Sequence, residues 1–140
     1  MRKFLFFSSL LLITNTLVSC KTATTKKGED IPVDIVFEKW NIQFGQLRSL
    51  DITLKGKSNS GDAVEVQTKL MVNQYDEFLL PMLTKLEEED QFKDGNTGSG
   101  IIQINKESGN GKLFIKKVGS IATKNMEFVL EKEEISVFMQ

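Results

Sequence analysis

The chain has 140 residues with 18 basic and 19 acidic side chains, a formal charge of −1, no histidine and one cysteine. That length suits one domain with a real hydrophobic core, and the charge balance offers no basic footprint, which argues against nucleic acid as a partner. Without histidine or a cysteine pair the chain has no disulfide, no Cys/His zinc site and no imidazole base for neutral-pH catalysis. Only carboxylate or Ser-Lys chemistry is left open, as in a hydrolase using carboxylates, and the expectation is no enzyme, cofactor or metal.

Residues 1–19 begin with Arg2 and Lys3, continue through the apolar Phe4-Leu5-Phe6-Phe7 and Leu10-Leu11-Leu12-Ile13, and leave through small residues. This is the layout of a secretory signal peptide. Ser8, Ser9, Thr14, Asn15 and Thr16 interrupt the apolar run, leaving it short of the roughly 20 apolar residues that a membrane-spanning helix needs. The exit Leu17-Val18-Ser19-Cys20 resembles the lipobox of bacterial lipoproteins, although Val18 is less usual there than Ala or Ser. The resemblance covers residues 1–20. It implies cleavage before Cys20, a diacylglyceryl group on its thiol, and a mature N-terminus at Cys20. Each buried methylene contributes about 0.8 kcal/mol, so two or three fatty chains hold a protein firmly where one does not. Lys21 is not the aspartate that tends to retain such proteins in the inner membrane, so the outer membrane is the expected home, whichever face the domain occupies.

Loss of Arg2 and Lys3 with the signal would take the formal charge from −1 to about −3. Residues 20–30 comprise the cysteine and the polar "KTATTKKGED", which reads as a flexible tether. A single domain over 31–140 follows.

From Ile31 the pattern has period two, the signature of strands with one buried face. Val33, Ile35 and Phe37 alternate, then Trp40, Ile42 and Phe44 alternate on the other parity, which predicts a bulge near Glu38-Lys39. Leu50, Ile52 and Leu54 form a second run, closed by the turn-rich "KGKSNSGD"; Val64, Val66, Thr68, Leu70 and Val72 form a third. Tyr75, Phe78, Leu79, Met82, Leu83 and Leu86 then fall on a helical stripe, with Asn73 or Asp76 available as its cap. Pro81 requires that this helix be kinked there or begin close to it. "FKDGNTGSG" reads as a glycine-rich loop, Ile102 and Ile104 open a strand, and "ESGNG" turns the chain into a return strand through Leu113, Phe114 and Ile115. Met126, Phe128 and Leu130 alternate again, and Ile135, Val137 and Met139 close the chain beyond the weak boundary "EKEE". The expected fold class is α+β: a predominantly antiparallel sheet of about six to seven strands with one amphipathic helix packed on it.

The glycine-rich stretch is not a phosphate loop, because Gly100 is followed by Ile101-Ile102 rather than by lysine and a hydroxyl residue. Asp90, Asp94 and Asn96 supply oxygen atoms but lack the spacing and closing glutamate of an EF-hand, so a solvated loop is the expectation. The run Glu87-Glu88-Glu89-Asp90 falls at the helix C-terminus, where the macrodipole disfavours each exposed negative charge by about 0.3–1 kcal/mol. It reads either as a frayed, hydrated helix end or as an acidic patch for a basic partner. Lys26-Lys27 and Lys116-Lys117 read as solvated lysines able to approach anionic lipid, and Trp40 as core or core edge. Taken together, the sequence leads to the expectation of a small lipid-anchored envelope lipoprotein acting as a non-enzymatic binding or structural module. The alternative is an inhibitor or immunity-type lipoprotein that neutralises a basic enzyme or toxin.

Overall fold

The computed structural model describes residues 30–140. The signal peptide, Cys20, Lys26-Lys27 and nearly all of the tether lie outside them. Seven strands and two short helices follow in order: β1 (Asp30–Gln43), β2 (Gln46–Lys57), β3 (Ala63–Met71), α1 (Leu79–Glu88), β4 (Asn96–Ile104), β5 (Gly111–Val118), β6 (Ile121–Ala122), β7 (Glu127–Leu130) and α2 (Lys132–Ile135), which runs into a 3-10 turn (Ser136–Met139). All pairings are antiparallel, in the order β3-β2-β1-β4-β5-β6, with β7 also on β5. Strands β1 to β3 form consecutive hairpins, and the long connection through α1 returns β4 to the free side of β1, a Greek-key path.

β1 forms because Ile31, Val33, Ile35 and Phe37 all turn to one face and are buried. The register against β2 slips between Phe37 and Lys39, so Glu38 is the extra residue where the sequence predicted a bulge. Trp40 resumes on the core side and is buried, but the second parity does not run on as expected. Ile42 is 47% exposed, and Phe44 is 95% exposed because it is a turn residue. Gln43 pairs with Gln46, leaving Phe44 (φ 53°) and Gly45 (φ 74°) as a two-residue hairpin loop. Such tight loops favour positive φ at both positions because their twist then matches the strands.

Inward residues of the sheet, among them Leu50, Ile52, Leu54, Ile102, Ile104, Leu113 and Ile115, form one core with Leu79, Met82, Leu83 and Leu86 of α1. The sequence stripe overran this helix at its start. Tyr75 is 91% and Phe78 74% exposed, and both precede Leu79. Pro81 therefore stands in the first turn, where a missing N–H costs least, and the helix begins beside it. Asp76 braces the turn that leads into the helix: its Oδ1 accepts from the N–H groups of Phe78 and Leu79 at 2.9 and 3.0 Å, while Phe78 holds the N-cap position without a side-chain bond of its own.

The glycine-rich stretch is the second correction. Asn96–Gly100 are strand, not loop. Gly98 and Gly100 are needed because β5 crosses close over β4. A Cβ on Gly100 would sit 2.5 Å from the Phe114 carbonyl oxygen, and one on Gly98 would strike the Lys117 backbone and the Phe37 ring. The register between β4 and β5 shifts between Ser99 and Gly100, as close glycine packing and sharp local curvature imply.

The chain end is the third. Ile135, Val137 and Met139 do not alternate as a strand: Ile135 and Phe138, three apart, are both fully buried on helical spacing. "EKEE" is a helix start, in which Glu131 and Glu134 form a reciprocal capping box. This terminal segment closes the end of the sheet that carries the β2–β3 turn. Asn59 N–H donates to the Phe138 carbonyl and Ser60 N–H to the Gln140 carbonyl, at 3.1 and 2.9 Å. The expected single helix is thus two small ones, at two places on the sheet.

Candidate functional site

The acidic run is carried by a well-made helix end rather than a frayed one. Glu89 is the C-cap and Asp90 takes a left-handed conformation at φ 61°. Asp90 N–H donates to the Glu87 carbonyl at 3.0 Å, and Gln91 N–H to the Leu86 carbonyl at 2.9 Å. These are the paired bonds of a Schellman motif, which satisfy carbonyls the helix would otherwise leave open. Leu86, fully buried, anchors the turn, while Glu87, Glu88, Glu89 and Asp90 are all exposed. Asp90 meets Lys93 at 3.5 Å across a solvent-exposed ion pair, which contributes little to stability.

Beyond this end the chain is stitched to the bulge of β1. Trp40 stacks between Phe37 and Phe92, with ring centroids 4.9 and 4.6 Å apart. Its indole N–H donates to the Lys93 carbonyl, and its backbone N–H to Asp94 Oδ1, both at 3.0 Å. Trp40 pairs with Leu50 of β2, but the ladder to β4 ends at Phe37 and Asn96, and the Asp94 carboxylate supplies the acceptor that β4 does not. Asn96 turns its amide to the Gln91 carbonyl at 2.9 Å. The three oxygen-bearing side chains considered as cation ligands are therefore split: Asp90 toward Lys93, Asp94 toward Trp40 and Asn96 toward Gln91. Among the described residues no three acidic groups converge as metal ligands would.

What sequence reasoning missed is the groove beside the acidic run. It lies between α1 and the β1–β2 hairpin tip, holds about 250 Å³, and is lined by Ile42, Leu47, Leu80, Leu83 and Phe92, with Glu87 among its lining residues. Ile42 and Phe92 belong to segments some fifty positions apart, so no local pattern could have joined them. The one available signal was Ile42, an apolar residue on an otherwise polar hairpin arm. A second open groove of about 320 Å³ borders the helix start, between Phe78, Pro81 and Met82 and residues Ala122 to Asn125. Lys116 and Lys117 are exposed on β5, and Lys116 Nζ lies 5.6 Å from the Phe114 ring centroid. Among the described residues no helix is long and apolar enough to cross a membrane. No protein family, curated protein or solved structure matches this chain.

The arrangement offers shallow, open surfaces with carboxylates that stand exposed instead of facing one another.

Proposed function

We propose that this protein is a lipid-anchored, non-enzymatic binding module of the cell envelope, held by Cys20 to the outer membrane and engaging a basic protein partner through the end of α1. The observation that carries the binding role is the adjacency of Glu87-Glu88-Glu89-Asp90 to a groove of mixed character, in which Ile42, Leu80 and Phe92 stand among the polar Gln46, Gln74 and Thr84. Charge there would steer a basic partner to the surface, and the groove would accept an amphipathic side chain, its apolar part against Ile42, Leu80 and Phe92, once the partner docked. Supporting the anchor are the basic start, the apolar stretch and the Leu17-Val18-Ser19-Cys20 exit. A lone cysteine at that position has a use as an attachment point and none as a disulfide.

An inhibitor of a basic enzyme or toxin is the narrower form of the same proposal, favoured by the same acidic surface. Two measurements test the pair. Metabolic labelling with palmitate should mark the native chain and not Cys20→Ser, which should also wash off membranes; an unlabelled native chain would remove the anchor. Capture from envelope extract should yield a stoichiometric basic protein with the native chain. Its association rate should fall about tenfold when Glu87, Glu88 and Glu89 become Gln and Asp90 becomes Asn, with the difference shrinking at high salt. An equal rate for the two chains would remove the acidic surface from the function, and inhibition of that partner's activity would select the narrower form.

A further inference from the structure

Strand β3 pairs with β2 alone, so its other side is an edge of the sheet. Val72 N–H donates to the Arg48 carbonyl and Ser58 N–H to the Asp62 carbonyl, which fixes the parity of the β2–β3 ladder. Val64, Val66, Thr68 and Leu70 turn their backbone groups to β2. Antiparallel alternation then turns those of Ala63, Glu65, Gln67, Lys69 and Met71 outward. All five are exposed, and among the described residues their N–H groups find no acceptor.

Exposed edges are ordinarily blunted by a proline, a bulge, a very short strand or an inward-pointing charge. β3 has none of these four, and its only blunting device is the charged pair Glu65 and Lys69 on its outer row: it runs nine residues without proline, and its register against β2 holds unbroken from Ala63 to Met71. The α2 segment meets β3 at Thr68, whose side chain belongs to the inner face and donates to the Glu134 carboxylate. That contact leaves the outward row open.

The charges on this row are self-complementary, with Lys69 held only by an exposed 3.8 Å pair to Asp51 of β2, which contributes little. We propose that β3 is a dimer interface, at which two copies of the chain join edge to edge, antiparallel, about a two-fold axis at Gln67, continuing one sheet into the next. In that register Gln67 meets its own counterpart, Glu65 of each copy faces Lys69 of the other, and Ala63 faces Met71. All the outward backbone groups fall into hydrogen-bonded pairs. On the inner face Val64 comes opposite Leu70 and Val66 opposite Thr68, covering Val64, Val66 and Thr68, which a lone chain leaves partly exposed, beside the already buried Leu70. Sliding the pairing by two residues in one direction sets Glu65 against Gln67 and Lys69 against Ala63. The other direction sets Glu65 against Met71 and Lys69 against Gln67. Either slide loses both opposite-charge pairs, so charge selects the central register.

Sedimentation of the detergent-solubilised full chain between about 1 and 300 µM reads the equilibrium directly. The native chain should move from monomer to dimer. Gln67→Pro, which deletes an outward N–H, should abolish the dimer. Lys69→Glu places two like-charged pairs across the axis and should raise the dissociation constant about tenfold, while Glu65→Lys combined with Lys69→Glu should restore it. Amide exchange at Glu65, Gln67 and Lys69 should slow as native protein concentration rises. A native chain that stays monomeric throughout would overturn the proposal. So would a dimer indifferent to Gln67→Pro, a double charge swap that fails to restore association, or edge amides protected only by a different polypeptide.

Discussion

The two edges of this sheet are treated in opposite ways. On the β5 side the backbone is covered along its whole length by pieces: β6 pairs Lys117 and Val118, Thr123 N–H and Met126 carbonyl serve Lys116 and Ile115, and β7 takes Gly111 to Phe114. Thr123 Oγ1, buried, adds a bond to the Ile115 carbonyl at 2.8 Å. What is left facing outward there is two residues of β6 and four of β7, broken by a loop. On the β3 side nine residues run straight and open. A fragmented edge cannot template another strand, whereas a long regular one can. The contrast shows where this molecule is sealed and where it remains able to pair.

The largest way to break the contrast is to unseat β7. Leu130 is fully buried opposite Gly111, and Leu130→Ala should cost about 2–5 kcal/mol, measured by urea unfolding. Because β7 would detach first, the variant should also aggregate as β5 acquires an open edge. A smaller effect separates adjacent residues of β3. Val66→Pro removes an N–H that bonds β2 and should cost about 1–3 kcal/mol, while Gln67→Pro, whose N–H points outward, should cost well under 1 kcal/mol. Equal losses at the two positions would show that the inferred parity is wrong. The smallest concerns the segment that leans on β3. Glu134 accepts from Thr68 and, at 2.8 Å, from the Glu131 N–H. Glu134→Ala should therefore cost about 0.5–2 kcal/mol and loosen the terminal segment, read as faster amide exchange over Lys132–Met139.

Much of the sheet was legible in the residues themselves. Alternation over Ile31–Phe37, Leu50–Leu54 and Val64–Leu70 predicts strands that are present, and the parity slip at Glu38 predicts a bulge that is present. These features are local, because a strand's two faces are set by neighbouring residues. The three misassignments share a different cause. Gly98 and Gly100 look like loop residues until β5 is laid across them, and the terminal Ile135, Val137 and Met139 look like a strand until Phe138 is seen to need burial. Tyr75 and Phe78 complete a helical stripe on paper, yet the turn braced by Asp76 keeps both outside the helix, which starts at Leu79 beside Pro81. Of the candidate site, the acidic run was visible as a string of charges; the groove beside it was not.

By itself the sequence determined the strand faces, the helix stripe from Leu79 to Leu86, the absence of histidine chemistry and the lipobox-like start, because each depends on residue type and short-range spacing. Tertiary structure alone decided which strands meet, that Ile42 and Phe92 share a groove with Glu87, and that β3 rather than β5 keeps an open edge. Those outcomes depend on how a curled sheet brings distant segments together. Hydrogen-bond partners across a sheet are chosen by chain path, and no residue records locally who its neighbour will be.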